Sequence, residues 1–240
     1  VDEESLAGHW DLLAASRRVR ISGIHVFLRS QVLSQEALAA CFKKIFMLAK
    51  RCREEFGWDL DFINFGGGLG IPAPGSDAET GRIDLDRLRL DVCELVSRYR
   101  TGLPGCRFLL ESGRFLVGEA GTFVTRIEDV KESRGKTYVI APGGLSGFFR
   151  PSVMNLLNAL PFPVSGPYEP LFSNGSAHKV SLTEKKAGEP KKVTVCGNLC
   201  TALDVMAQDV LLPDPQPGDI LTISNAGAYA ATLSPGPFAS

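Results

Sequence analysis

Glu111 and Arg114 stand three positions apart in the stretch Glu111-Ser112-Gly113-Arg114-Phe115, directly after the short apolar run Phe108 to Leu110. A carboxylate at the end of a buried strand can keep a pyridine nitrogen protonated. An arginine just beyond it can hold a phosphate in a charged fork. Both are requirements of pyridoxal 5′-phosphate (PLP) chemistry, in which the protonated ring is the electron sink. Taken alone, such a pair is more often a solvated turn or an ion pair at a strand end, so its company matters.

That company begins with Gly66-Gly67-Gly68, which closes a second apolar run, Leu60 to Phe65. A glycine triplet lets backbone amides converge on a phosphate without obstruction by Cβ atoms; alone, it reads as a tight turn. A third run, Arg20 to Leu28, alternates as a strand, with Ile24, Val26 and Leu28 on one face and His25 and Phe27 on the other, and is followed by Arg29-Ser30-Gln31. Helical spacing fills the gaps between strands. Ser34 is an N-cap candidate for a helix to about Phe56, with Leu38, Phe42, Ile45, Ala49 and Cys52 on one face. Asp84 starts a second, carrying Leu85, Leu88, Val92, Leu95 and Tyr99. The βαβαβ order implies parallel strands with helices outside. In a parallel barrel the C-terminal strand ends form one rim, which gathers these three loops.

The texture changes near residues 118–121. Thr122 to Val130, Thr137 to Ala141, Lys179 to Thr183, Lys192 to Cys196 and Asp219 to Ser224 are short β-branched or alternating runs, separated by turns such as Arg134-Gly135 and Pro217-Gly218-Asp219. Val153 to Leu160 reads as a short helix, and the tract Glu184 to Lys192 as an exposed hairpin loop. The expected fold class is therefore α/β plus all-β, with domains at 1–119 and 120–240, the second expected to be incomplete at its end.

The chain has 240 residues, 44% hydrophobic and 22% charged, with a formal net charge of −1. That balance gives no reason to expect nucleic acid or an anionic membrane as a partner, and no apolar run approaches the roughly 20 residues that span a bilayer. Six cysteines without a secretory signal point to free thiols in a reducing, cytoplasmic setting. With three histidines, none near Cys196 and Cys200, no metal site is expected.

Taken in order, these motifs resemble the fold-type III PLP-dependent decarboxylases, the diaminopimelate, ornithine and arginine decarboxylases among them. The match runs through Gly23-Ile24-His25-Val26-Phe27-Leu28-Arg29-Ser30, Gly66-Gly67-Gly68-Leu69, Glu111-Ser112-Gly113-Arg114, Arg150-Pro151, Cys200-Thr201-Ala202-Leu203-Asp204 and Ala226-Gly227-Ala228-Tyr229. The resemblance implies the C-terminal part of a (β/α)8 TIM-type barrel, followed by a β-barrel or sandwich domain. It implies PLP as cofactor, with Ser30, Gly66, Gly67, Gly68, Gly113 and Arg114 around the phosphate, Tyr229 closing over it and Glu111 on the pyridine nitrogen. Arg150 would meet a substrate carboxylate. Cys200, contributed across a homodimer interface with shared active sites, would deliver a proton after decarboxylation, a role open to a thiol near its ordinary pKa. The bland alternative for Cys200 is a small buried hydrophobe.

The departures from the family pattern carry information. Phe27 stands where a histidine ring usually stacks on the pyridine; an aromatic ring can still stack there. Arg29 replaces a glycine and points either to solvent or toward phosphate or substrate. Thr201 replaces the acidic residue that reads a distal ammonium group, which disfavours basic amino acids and favours a specialised biosynthetic member acting on a non-basic or carrier-protein-bound amino acid; the ending Ser234-Pro235-x-x-Phe238 has the same flavour. None of the lysines sits in the family's Tyr-x-x-Lys-Ala-type motif that holds the cofactor covalently. A full barrel needs roughly 200 residues or more. An N-terminally truncated chain, inactive by itself, is therefore expected. The alternatives are an inactive homologue serving as a regulatory or binding subunit, and a racemase of related barrel fold, which would need a proton donor other than Cys200.

Overall fold

The computed structural model describes residues 2–15, 18–72, 81–149, 178–184 and 186–234. Arg150-Pro151, the helix expected over 153–160 and the end of the Ser234-Pro235-x-x-Phe238 segment lie outside them. The chain divides into two compact units, residues 1–68 with 83–112 and residues 69–82 with 113–240. This division falls at 112/113, and the 69–82 segment groups with the second unit.

The first unit contains α1 (Glu3–Gly8), α2 (Trp10–Ala14), β1 (Gly23–His25), α3 (Gln35–Phe56), β2 (Phe62–Asn64), α4 (Leu85–Tyr99) and β3 (Arg107–Leu109). The strands form a parallel sheet in the order β1-β2-β3, with His25, Asn64 and Leu109 in register. α3 starts where Ser34 Oγ accepts the Ala37 N–H at 3.1 Å and stops at Gly57, whose φ of 62° admits the left-handed cap. Asp84 caps α4 in the same manner, accepting from Arg87 N at 2.9 Å. α3 buries Leu38, Phe42, Ile45, Phe46, Ala49 and Cys52. Phe46 is the hub: its ring meets Phe65, Tyr99 and Phe108, thereby joining α3, α4 and the sheet. The opposite face of the sheet carries His25, Asn64 and Leu109, of which His25 and Leu109 are exposed.

The strands are shorter than their apolar runs. β1 ends at His25, although Val26 N still donates to Asn64 O at 3.0 Å. Beyond it the backbone turns to follow the glycine triplet, so Phe27 is presented by a loop.

The second unit holds α5 (Arg114–Val117), β4 (Phe123–Arg126), β5 (Asp129–Ser133), β6 (Lys136–Ile140), β7 (Val180–Leu182), β8 (Pro190–Cys196), β9 (Val205–Pro213) and β10 (Ile220–Ile223). One antiparallel sheet has the order β4-β10-β7; the other, β5-β6-β8-β9, has β6 and β8 parallel and its remaining pairs antiparallel. A shared core of Ile127, Val139, Val193, Val195, Met206, Leu221 and Ile223 draws on both sheets, as in a sandwich. Arg134 and Gly135 both have positive φ, the type I′ signature that returns β5 into β6. Gln216-Pro217-Gly218-Asp219 closes with Asp219 N on Gln216 O and Gly218 at φ 95°, a type II turn.

The tract 184–192 is not a hairpin, because β7 and β8 belong to different sheets. Lys186 within it is largely buried and pairs with Asp219. Burial raises the Asp219 pKa, but the Lys186 ammonium and the Gln216 N–H outweigh it, so the carboxyl sits below its ordinary value. A depressed carboxylate stabilises the fold above the unfolded pKa and loses that contribution as pH falls through the folded one. Thermal unfolding of the wild type is expected to lose stability below about pH 4, by more than Asp219→Asn does over the same interval. Phe46→Ala is expected to cost about 3–5 kcal/mol in chemical denaturation, since it empties the junction of both helices and the sheet.

Candidate functional site

In the first unit, three loops meet at the C-terminal ends of the parallel strands. Each glycine of the triplet has its Cβ position taken by a different neighbour. A Cβ on Gly66 would lie 2.8 Å from Val26 O and 3.1 Å from the Phe27 ring; on Gly67, 2.6 Å from Glu111 O; on Gly68, 2.5 Å from Arg29 O. The triplet is therefore obligatory for packing, whatever else it binds. Val32 N donates to Gly68 O and Glu111 N to Gly66 O, both at 2.8 Å, which ties the outer loops to the central one. Ser30 lies half-buried in the tied β1 loop. The Gly67 and Gly68 amides make no hydrogen bond to any described residue and remain available as donors.

Glu111 projects beside this turn with its side chain 59% exposed. Its Oε1 accepts from Asn64 Nδ2 at 2.7 Å and lies 3.6 Å from His25 Nε2. Asn64 Oδ1 in turn accepts the Gly66 N–H at 2.9 Å. Sequence reasoning passed over Asn64. Its only signal is a polar residue, poorly suited to a strand, at the last position of β2.

In the second unit, Arg114 opens α5 and is buried, with 9% of its surface exposed. Its guanidinium carbon lies 4.9 Å from the centroid of the Tyr229 ring. Among the described residues it has no carboxylate partner, and burial pushes its pKa below the ordinary arginine value while Tyr229 acts in the other direction. Tyr229 itself has φ of 58°, a left-handed conformation that costs a non-glycine residue free energy and persists only where its surroundings impose it. Its hydroxyl sits 3.8 Å from where a Cβ on Gly113 would be. Ser112, between Glu111 and Gly113 in sequence, has a buried Oγ with no hydrogen-bond partner among the described residues.

Cys200 and Thr201 are exposed on the turn joining β8 to β9, so the buried reading of Cys200 does not apply. Thr201 Oγ1 accepts from Leu203 N at 3.3 Å, within its own loop. The anchor of this loop is Asp204, 2% exposed, whose carboxylate accepts from Leu199 N at 2.9 Å and from Leu145 N. Cβ atoms on Gly144 or Gly197 would collide with that carboxylate. Burial first, and then the Asp204 charge, push the neighbouring Cys196 thiol upward, so it stays protonated and inert beside the exposed Cys200. Arg150 lies outside the described residues. No cluster of potential metal ligands occurs among the described residues, and no helix among them is long and apolar enough to cross a membrane.

A parallel α/β unit with loops gathered at one rim, joined in sequence to a two-sheet β unit, defines the class of protein. The sequence model for the pyridoxal-dependent decarboxylase C-terminal sheet domain matches residues 32–227, and the chain belongs to that family. It is 32% identical over 217 residues to a diaminopimelate decarboxylase of Methanothermobacter thermautotrophicus, covering 88% of this chain and 45% of that protein. It is 28% identical over 236 residues to the L-glutamyl-[BtrI acyl-carrier protein] decarboxylase of Niallia circulans, covering 98% of this chain and 52% of that one. The diaminopimelate decarboxylase structure from M. jannaschi superposes with a TM-score of 0.75 at 23% identity, over 99% of this chain and 50% of the other. The chain thus spans about half the length of the relatives it matches.

Asp204→Ala is expected to destabilise the protein by on the order of 2 kcal/mol in chemical denaturation, because it strands two partly buried N–H donors that now meet a charged acceptor.

Proposed function

We propose that this chain carries the phosphate and ring-nitrogen contacts of a PLP-dependent α-amino acid decarboxylase. The observation that carries the reading is Arg114. A buried guanidinium without a counter-charge is costly, and a bound phosphate relieves that cost. Within the first unit, the open amides of Gly67 and Gly68 and the Ser112 hydroxyl, which has no partner among the described residues, are donors of the kind a phosphate takes. When bound, PLP supplies a protonated ring that accepts electrons. Glu111 holds the proton at the ring nitrogen, Arg114 binds the phosphate, and Phe27, exposed beside Gly66, offers a ring face for stacking.

The strand-rim arrangement is read as part of a (β/α)8 barrel, with residues 1–119 forming the barrel portion and 120–240 the β domain. Cys200 Sγ, on its Asp204-anchored loop, serves as proton donor in a homodimer with shared sites, and Arg150 meets the substrate carboxylate. Thr201, with its hydroxyl turned into its own loop, offers no carboxylate to a distal ammonium. This supports a non-basic or carrier-protein-bound amino acid as substrate, as does the likeness to the Niallia circulans protein. The chemistry is assigned to a polypeptide that includes the cofactor's lysine.

Arg114→Met tests the reading. Wild-type protein is expected to gain thermal stability with PLP, by mass action on the folded state. Arg114→Met should lose that gain while its ligand-free stability stays equal or rises, since a buried lone cation has been replaced by an apolar chain. A ligand response retained in Arg114→Met would refute the phosphate role. Assays of CO2 release from a panel of free and carrier-bound amino acids, using the polypeptide with any in-frame upstream sequence, then identify the substrate.

A further inference from the structure

Asn64 makes two bonds that fix its amide without ambiguity. Its carbonyl oxygen must face Gly66 N–H, a donor, at 2.9 Å, and its NH2 must face Glu111 Oε1, an acceptor, at 2.7 Å. The first bond is an Asx turn, the local motif by which asparagine shapes the two residues after it. The second spans 47 residues and reaches the carboxylate projecting beyond the neighbouring strand. An Asx turn alone does not require an NH2 group. Asparagine is also unfavourable in a strand, and β2 places it at the end that faces both loops.

The consequence lies in what is left over on Glu111. Oε1 is held by Asn64, with His25 Nε2 at 3.6 Å on the same oxygen, while Oε2 makes no hydrogen bond among the described residues. The side chain is otherwise largely solvated and free to rotate. We infer that Asn64 is a positioning residue: it locks the Glu111 carboxylate so that Oε2 points outward to the pyridine nitrogen, and it couples that orientation to the glycine turn beneath. This rests on the reading of Glu111 as the partner of the ring nitrogen. His25 shares the same oxygen but lies beyond hydrogen-bond distance, so the amide sets the orientation.

Asn64→Ser separates the two bonds. A serine hydroxyl can still accept from the Gly66 N–H in the equivalent local turn, but it is too short to donate to Glu111. The probes are pyridoxine 5′-phosphate, which binds without a lysine, and its 1-deaza analogue, which keeps the phosphate and lacks the ring nitrogen. Wild-type protein is expected to prefer the first probe, and Glu111→Gln to abolish that preference. Asn64→Ser should reduce the preference by roughly 3- to 10-fold, the scale of one hydrogen bond to a charged group, with affinity for the deaza analogue unchanged. In the double variant with Glu111→Gln, Asn64→Ser should add nothing further to the loss of preference.

A merely structural Asn64 would weaken both probes alike or neither, and either outcome overturns the inference. Absence of any preference in the wild type, or its survival in Glu111→Gln, instead overturns the assignment of Glu111 and the inference with it. Should Asn64→Ser fail to fold, Asn64→Asp makes the same separation, because it keeps the turn acceptor and turns the donor into a repelling oxygen.

Discussion

Everything at the rim of the first unit depends on how closely three backbone segments approach one another across Gly66-Gly67-Gly68. The carbonyls of Val26, Glu111 and Arg29 each occupy space that a side chain on one of these glycines would need. Because the loops meet carbonyl to Cα, their remaining polar groups are presented side by side. Val32 N and Glu111 N are satisfied on Gly68 O and Gly66 O, and the Gly66 amide is taken up by Asn64. The Gly67 and Gly68 amides make no hydrogen bond to any described residue. The geometry that seals the loops is also the one that leaves these two amides open.

The second unit achieves a comparable result by burial and strain. Arg114 is removed from water at the start of a four-residue helix, with an aromatic face as its described contact. A cation–π contact with tyrosine supplies only part of what desolvation removes. Tyr229 is itself held in the left-handed region. Two unfavourable features in contact are seldom kept for stability, and they cluster where a ligand repays them. Nearby, backbone contacts are as tight as at the triplet: Cβ atoms on Gly121 and Gly227 would fall on each other's backbone region and on Val117 O.

Much of this was legible in the sequence for identifiable reasons. Ser34 and Asp84 announced α3 and α4 because capping is local chemistry, and the stripe from Leu38 to Cys52 follows from helical period. Arg134-Gly135 and Pro217-Gly218-Asp219 were readable as turns because positive φ is a local demand. Strand ends were not, because apolar runs continue past the last ladder bond: Phe27 reads as strand but rides on a loop set by Gly66. β9 was missed because its polar residues Gln208 and Asp209 break the alternation, and α1 and α2 because they are too short for a clear period. The burial of Lys186 was invisible because its partner Asp219 lies 33 positions away. Asn64 was missed for the same reason, as its meaning lies in a contact 47 positions distant.

The two charged groups of the opening motif, three residues apart, work under opposite electrostatic conditions. Arg114 is buried, so its field is weakly screened and an anion bound there gains strongly from the low local dielectric. Glu111 is mostly solvated, and its attraction for a ring cation is screened until a ligand displaces that water. A solvated carboxylate is also orientationally loose, which is why an amide fixing one of its oxygens matters more here than it would in a packed core. In the proposed roles, a phosphate on Arg114 would gain affinity with little need for fine positioning. A ring nitrogen on Glu111 would gain less in raw attraction and would depend on geometry set by neighbouring backbone and by Asn64.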